Sequence, residues 1–218
     1  MARVRLAVFD CDGTLSDGQA AVCTAMAQAF AEAALPAPFG HEVRRIVGLS
    51  LPEAVAHLAP DAAPDVQAHA VDAYKSAFRL AREEGRLREP LYDGIAPLLR
   101  QLHADGWVLG VATGKSDRGL AACLATHGLA DLFTTLQTAD RHPSKPHPAM
   151  LEQAMADAGA MPADTVMIGD TVFDMAMAET AGVRALGVSW GYHERAELLA
   201  AGAVAVADTP GELERLLL

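Results

Sequence analysis

The sequence alternates short apolar runs with helical patterns, and this alternation restricts the possible folds more than any other feature. The apolar runs, each typical of a buried strand, cover residues 4–9, 107–112, 134–136, 165–168, 184–188 and 203–206. The helical patterns between and after them cover residues 94–104, 116–126, 148–158, 172–181, 195–200 and 211–217. Buried strands that alternate with helices pair in parallel through right-handed crossovers. The pattern therefore predicts an α/β fold with a doubly wound, mostly parallel sheet.

One segment interrupts this alternation directly after the first strand. It contains no convincing strand and shows helical patterns at residues 19–34, 41–47, 52–58 and 62–84. Four prolines separate these patterns, at positions 36, 38, 60 and 64, and proline punctuates helices in this way. The sequence therefore predicts an α/β core made of residues 1–17 and 90–218, with an inserted α-helical cap domain at residues 18–89.

Composition excludes several classes of partner. The 218 residues carry a formal charge of −11, and such an acidic surface repels the phosphate backbone of nucleic acids. No apolar run reaches the ~18 residues that a membrane span needs, and residues 1–10 turn acidic too soon for a signal peptide. Three scattered cysteines are typical of reduced thiols and predict a cytoplasmic location. The alanine-rich faces favour no particular oligomeric state.

Polar residues follow three of the predicted strands at the point where each strand ends. They are Asp10 and Asp12 after the first strand, Thr113 and Gly114 after the second, and Asp170 and Asp174 after the fourth. Open α/β sheets bind ligands at the carboxyl ends of their strands. Carboxylates suit a hard cation such as Mg²⁺, and amides at a helix N-terminus hold phosphate oxygens. The set predicts a site for a divalent cation and a phosphoryl group.

Lys145 is the cation expected to complete this site. The chain has only three lysines, Lys75, Lys115 and Lys145, among 17 basic residues, so its exposed positions mostly use arginine. Lys145 also lies between prolines, in the loop at residues 143–148. The alternatives are that Lys145 is a solvated loop residue and that Asp10 and Asp12 form a simple Asx turn.

These motifs, in this order, resemble those of the haloacid dehalogenase-like hydrolases. The matching segments are residues 10–15 (DCDGTL), Thr113-Gly114, Lys145-Pro146 and residues 169–174 (GDTVFD). The resemblance covers essentially the whole chain, and the helical insertion is similar to the small cap of the family's phosphatase branch. Residues 190–193 (WGYH) look most like phosphoglycolate phosphatase-like members. The resemblance implies a Mg²⁺-dependent phosphatase of small phosphate monoesters, with phosphoglycolate as the leading substrate.

The resemblance also implies roles for the acidic residues. Asp10 would be the nucleophile that forms an aspartyl-phosphate intermediate. Asp12 would be general acid to the leaving alkoxide and then base for the attacking water. Mg²⁺ would be held by an Asp10 oxygen, the backbone carbonyl of Asp12 and the Asp170 side chain. Asp174 would support that site or orient Lys145.

Further residues would bind the substrate. Thr113, the Gly114 amide and Lys145 would neutralise charge on the transferring phosphoryl group. Arg44 and Arg45, on a predicted cap helix, are candidates for reading a substrate carboxylate or a second phosphate. Equally, these two arginines could be a solvated pair on the helix surface.

Two other functions remain open. Related sugar-phosphate mutases carry basic residues where this chain has Val47 and Leu51, next to the cap-loop Gly48, so mutase activity is disfavoured. A catalytically silent binding module is the other alternative, although the motif set is complete. Residues 110–116 imitate a nucleotide-binding P-loop, but three residues separate the glycines where four are required. Lys75, the one cap lysine, is not expected to form the Schiff base of phosphonate-cleaving relatives.

Overall fold

The computed structural model describes residues 4–218 and contains a six-stranded parallel sheet. The strands are β1 Leu6–Phe9, β2 Val108–Thr113, β3 Phe133–Thr138, β4 Thr165–Gly169, β5 Arg184–Val188 and β6 Ala205–Ala207. Their order across the sheet is β3-β2-β1-β4-β5-β6. The chain thus winds outward from β1 in both directions, and the predicted α/β fold is confirmed. The carboxyl ends of β1, β2 and β4 lie side by side.

Helices cover both faces of this sheet. The helices that follow the cap segment are α5 Ile95–Ala104, α6 Asp117–Thr126, α7 Ala149–Ala158, α8 Val172–Thr180, α9 Arg195–Ala200 and α10 Pro210–Leu217. Side chains alternate along β1, so Ala7 and Phe9 pack with α5, α6 and α10, whereas Leu6 and Val8 pack with α7, α8 and α9. This alternation follows from the two-residue repeat of a strand and gives the sheet one apolar layer on each side.

Four helices fold between β1 and α5. They are α1 Gln19–Glu32, α2 Gly40–Arg45, α3 Leu51–Leu58 and α4 Pro64–Glu83. Their apolar residues form a separate cluster that includes Val22, Met26, Phe30 and Val55. The helix predicted at residues 62–84 begins two residues later, at Pro64, because proline suits the first helical turn, where its missing N–H costs nothing. The boundaries predicted for the cap, at residues 18 and 89, stay a prediction.

The two chain segments that join the helical insertion to the sheet run beside each other. Asp17 N donates to the Pro90 carbonyl at 2.8 Å, and Tyr92 N donates to the Leu15 carbonyl at 3.1 Å. Ser16 and Leu91 form an antiparallel bridge between these hydrogen bonds. The pairing holds Glu89 close to the end of β1, which matters for the site.

Only β5 has the predicted extent: β1 begins two residues later than predicted, β2 is shifted by one residue, and β4 ends one residue later. β3 spans Phe133–Thr138 rather than residues 134–136, because its buried Thr135 and Gln137 donate hydrogen bonds to Asp157 at 2.8 and 2.7 Å. Because these two residues are polar, the apolar run does not show the full extent of the strand. β6 is shifted to Ala205–Ala207. Within residues 4–218, no helix combines the length and apolarity that a membrane crossing requires.

Candidate active site

Three buried carboxylates meet at the carboxyl edge of the sheet. Asp10 follows β1, Asp170 follows the neighbouring β4, and Asp174 lies in the first turn of α8. One oxygen from each lies within 4.8 Å of the others. Neighbouring parallel strands end at the same edge, so side chains that are 160 residues apart in sequence become adjacent.

Lys145 inserts its ammonium group into this cluster. Its Nζ lies 2.9 Å from Asp10 Oδ1 and 2.6 Å from Asp174 Oδ1, and its side chain is fully buried. Burial alone would disfavour the charge, but the adjacent Asp10 and Asp174 outweigh it and raise the pKa of Lys145 above its usual range. The loop lysine is therefore a buried cation rather than a solvated one.

Asp10 stands out because neither of its buried oxygens has a hydrogen-bond partner in the described residues. Its contact with Lys145 is an ion pair without hydrogen-bond geometry. Burial, opposed by Lys145 and reinforced by Asp174, raises the pKa of Asp10 to about 7. Burial, together with the nearby carboxylates of Asp10 and Asp174, raises the pKa of Asp170 well above its ordinary value. One lysine cannot balance three buried carboxylates, whereas oxygen donors in this arrangement fit a hard divalent cation.

Hydrogen bonds from backbone N–H groups and threonine hydroxyls hold both Asp170 and Asp174 in place. Thr14 Oγ1 donates to Asp170 Oδ1 at 2.8 Å, and Tyr192 N donates to Asp170 Oδ2 at 2.9 Å. A Cβ at Gly191 would overlap the Asp170 carboxylate, so only glycine permits this approach. Asp174 Oδ2 accepts from the N–H and hydroxyl of Thr171 at 3.1 and 2.7 Å, in a capping box that begins α8.

The Asp12 side chain lies outside this carboxylate cluster. Lys115 Nζ donates to Asp12 Oδ1 and Oδ2 at 2.7 and 3.0 Å, and to Glu89 Oε1 at 2.6 Å. All three side chains are at most 13% exposed. Sequence reasoning missed Lys115 and Glu89, placing Lys115 only in a false P-loop. The scarcity of lysine that singled out Lys145 applied equally to Lys115 and was the available signal.

Thr113 and Gly114 lie at the end of β2, as predicted, and face the cap. Thr113 is buried, and its hydroxyl accepts a hydrogen bond from Lys115 N at 3.2 Å. A Cβ on Gly114 would stand 2.8 Å from the Gly48 carbonyl oxygen and would collide with that of Leu49. The cap loop at residues 48–50 is therefore packed directly onto this turn.

A cavity of about 490 Å³ separates the cap helices from the sheet edge. The core lines it with Asp10, Asp12, Thr113, Gly114 and Lys115, among others. The cap lines it with apolar side chains that include Met26, Leu49, Tyr74 and Phe78. The candidate nucleophile thus faces a partly enclosed, partly apolar space.

Arg44 and Arg45 do not reach this cavity. Neither belongs to its lining, and Arg45 instead makes a bidentate pair with Glu197 of α9, at 2.6 and 2.7 Å. The expectation that one of them reads the substrate is not supported, because α2 turns this pair away from the cavity. The cap cations in the lining are Lys75, Arg79 and Arg82, all on α4.

Comparison with known proteins agrees with this geometry. Residues 7–188 match the haloacid dehalogenase-like hydrolase family, and the chain belongs to this family. The probable phosphatase IndB of Dickeya dadantii is 35% identical over 213 residues, covering 95% of this chain and 91% of that protein. A phosphoglycolate phosphatase of Vibrio vulnificus is 26% identical over 219 residues, covering 96% and 94%. A haloacid dehalogenase-like hydrolase structure from Streptococcus pneumoniae superposes with a TM-score of 0.85 at 26% identity, covering 100% of both chains.

Proposed function

We propose that this protein is a Mg²⁺-dependent phosphatase of small phosphate monoesters that works through an aspartyl-phosphate on Asp10. The observation that carries the proposal is the Asp10 carboxylate, which is buried, lacks hydrogen-bond partners and lines the cavity. A carboxylate that accepts no hydrogen bond keeps its oxygen lone pairs available to attack phosphorus, even where one oxygen is ion-paired with a lysine. Phosphoglycolate is the first substrate to assay, given the names of the relatives.

In this proposal, the substrate phosphoryl group sits between Asp10, the Thr113 hydroxyl and the Gly114 amide. Asp10 attacks phosphorus, the bond to the ester oxygen breaks, and Asp12 gives a proton to the leaving alkoxide. Asp12 then takes a proton from the water that hydrolyses the aspartyl-phosphate and releases inorganic phosphate. Lys145 fixes the Asp10 oxygen that it contacts and offsets negative charge at the cluster.

Mg²⁺ would be held by Asp10, Asp170 and the backbone carbonyl of Asp12, with Asp174 beside them. The cation would neutralise charge that develops on the phosphoryl oxygens. The unpartnered Asp10 oxygens and the carboxylates within 4.8 Å of each other are the observations that support this assignment.

We assign Lys115 and Glu89 as positioning residues for Asp12. The Lys115 ammonium donates hydrogen bonds to both Asp12 oxygens and also to Glu89, which lies in the segment that returns from the cap to the core. This arrangement restricts the Asp12 rotamers, so that its carboxyl group stays at the cavity wall. Arg82 of α4 adds a distant contact to Glu89 at 4.0 Å.

Hydrolysis of p-nitrophenyl phosphate, with Mg²⁺ and with EDTA, tests the proposal. We expect turnover only with Mg²⁺, and its loss in Asp10→Asn, with Asp93→Asn on the exposed surface as a control. Full activity of Asp10→Asn, or no metal-dependent turnover, would refute the proposal and favour a silent binding module.

Phosphorus NMR of the products distinguishes the phosphatase from the mutase. Release of inorganic phosphate from a sugar phosphate supports hydrolysis, whereas an isomeric sugar phosphate supports phosphoryl migration. We propose a cytoplasmic location for this activity, in keeping with the three free cysteines, Cys11, Cys23 and Cys123.

A further inference from the structure

Within residues 4–218, five cationic side chains line the cavity of a chain whose net charge is −11. They are Lys75, Arg79, Arg82, Lys115 and Arg118. Lys115 is bound to Asp12 and Glu89, and Arg82 lies 4.0 Å from Glu89. In the described part of the chain, the side chains of Lys75, Arg79 and Arg118 form no ion pair or hydrogen bond. Cations of this kind are available to a ligand.

Lys75 and Arg79 share one face of α4. They are four residues apart, so their side chains emerge one turn from each other. Tyr74 and Phe78 accompany them in the cavity lining, and their rings lie 4.9 Å apart. Both cations are exposed, so neither is held in place by the core. The cap therefore presents two free charges beside an apolar wall.

The acidic side chains of the lining do not pair with Lys75 or Arg79. They are Asp10, Asp12, Glu89 and Asp140. In the described part of the chain, none of the four lies within ion-pair distance of Lys75 or Arg79. Asp12 and Glu89 contact Lys115, Asp10 contacts Lys145, and Asp140 accepts a hydrogen bond from Asp117 N at 2.8 Å. The cap side of the cavity thus carries two unpaired cations, on a different element from the proposed phosphoryl-binding residues at the ends of β1 and β2.

The cavity is also larger than a single phosphoryl group requires. Its volume of about 490 Å³ falls in the ~300–1,000 Å³ range of sites that enclose organic ligands. A phosphate bound at Asp10 leaves room for an organic group that extends toward α4.

We propose that Lys75 and Arg79 form a second anion-binding subsite, so that the substrate is a phosphate monoester whose organic part carries its own anionic group. This inference rests on the phosphatase function proposed above. The anionic group is a carboxylate or a second phosphate, which share the ability to accept charge-assisted hydrogen bonds from both cations.

Two pairs of substrates, each differing in one anionic group, test this subsite. In the first, 3-phosphoglycerate carries a carboxylate where glycerol 3-phosphate carries a hydroxymethyl group. In the second, glucose 1,6-bisphosphate carries a phosphate where glucose 6-phosphate carries a hydroxyl group. We expect the charged member of at least one pair to show the higher kcat/KM, by roughly 10- to 100-fold for hydrogen bonds to a charged group. The pair that shows the preference identifies the anion.

Lys75→Met and Arg79→Met, singly and together, assign the effect to these residues. Both are exposed positions in a helix that tolerates methionine, so folding should be retained. The double variant should lose most of the preference, through a higher KM for the charged member. Arg100→Met, on the exposed face of α5, removes the same charge far from the cavity and should change neither substrate.

The outcomes separate the two proposals. Equal kcat/KM for both members of each pair, or a preference that survives in the double variant, overturns the second subsite while the phosphatase stands. Absence of hydrolysis with every substrate, p-nitrophenyl phosphate included, overturns the phosphatase itself.

Discussion

Lys145→Met provides the sharpest test of how the acidic cluster is balanced. The substitution keeps the length of the side chain and removes a fully buried cation that lies 2.9 and 2.6 Å from two carboxylates. Removing one partner of a buried ion pair costs ~3–5 kcal/mol, because the remaining charge is left uncompensated. In a chain of this size, each 1 kcal/mol lowers Tm by ~2–4 °C. We therefore expect Tm to fall by roughly 6–20 °C.

The measurement is thermal unfolding in EDTA, followed by circular dichroism. Lys75→Met, the same change at an exposed position of α4, should stay within about 0.5 kcal/mol of wild type. Adding Asp174→Asn to Lys145→Met should recover stability, because one uncompensated charge disappears while the amide oxygen still accepts the hydrogen bonds from Thr171. A Lys145→Met penalty below about 1 kcal/mol, or a double variant no more stable than the single one, would refute this account of the cluster.

Three further predictions address the titration of Asp10, the positioning of Asp12 by Glu89, and the packing of the cap loop on Gly114. Because the pKa of Asp10 rises from 3.8 to about 7 on folding, its contribution to stability is complete below pH 3.8 and lost as pH rises through 7. Urea unfolding without metal should show this loss, at up to ~1.4 kcal/mol per pH unit, and Asp10→Asn should reduce the slope by the part that Asp10 contributes, because the raised pKa of Asp170 adds to it. Glu89→Gln should lower kcat for an alkyl phosphate roughly tenfold more than for an aryl phosphate, since only the alkoxide needs a well-placed acid; equal losses would contradict the assignment. Gly114→Ala should raise KM, because its Cβ meets cap-loop backbone and costs ~1–3 kcal/mol; Gly211→Ala, with open space around it, is the control.

Local sequence patterns were enough to predict most of the fold. The strand runs and helical repeats predicted six strands and the helical insertion, since each depends on a periodicity within a few residues. Asp10, Thr113 and Asp170 could be grouped without coordinates, because parallel strands deliver their carboxyl ends to one edge. The strand predicted for β3 was too short. Its buried polar residues Thr135 and Gln137 donate hydrogen bonds to Asp157 of α7, and no local sequence pattern indicates this tertiary contact.

The sequence by itself determined the order of the motifs, the parallel α/β core and the carboxylates and lysine gathered at its edge. Only the tertiary structure decided which cations face the cavity and which groups hold Asp12. Lys115 contacts Asp12, which is 103 residues away in the sequence, and Glu89, which is 26 residues away. Arg45 forms an ion pair with Glu197 of the core. Helical periodicity shows which residues share a face, but the docking of that face depends on packing between distant elements. For that reason substrate-binding cations were expected on α2, whereas the cap cations that line the cavity lie on α4.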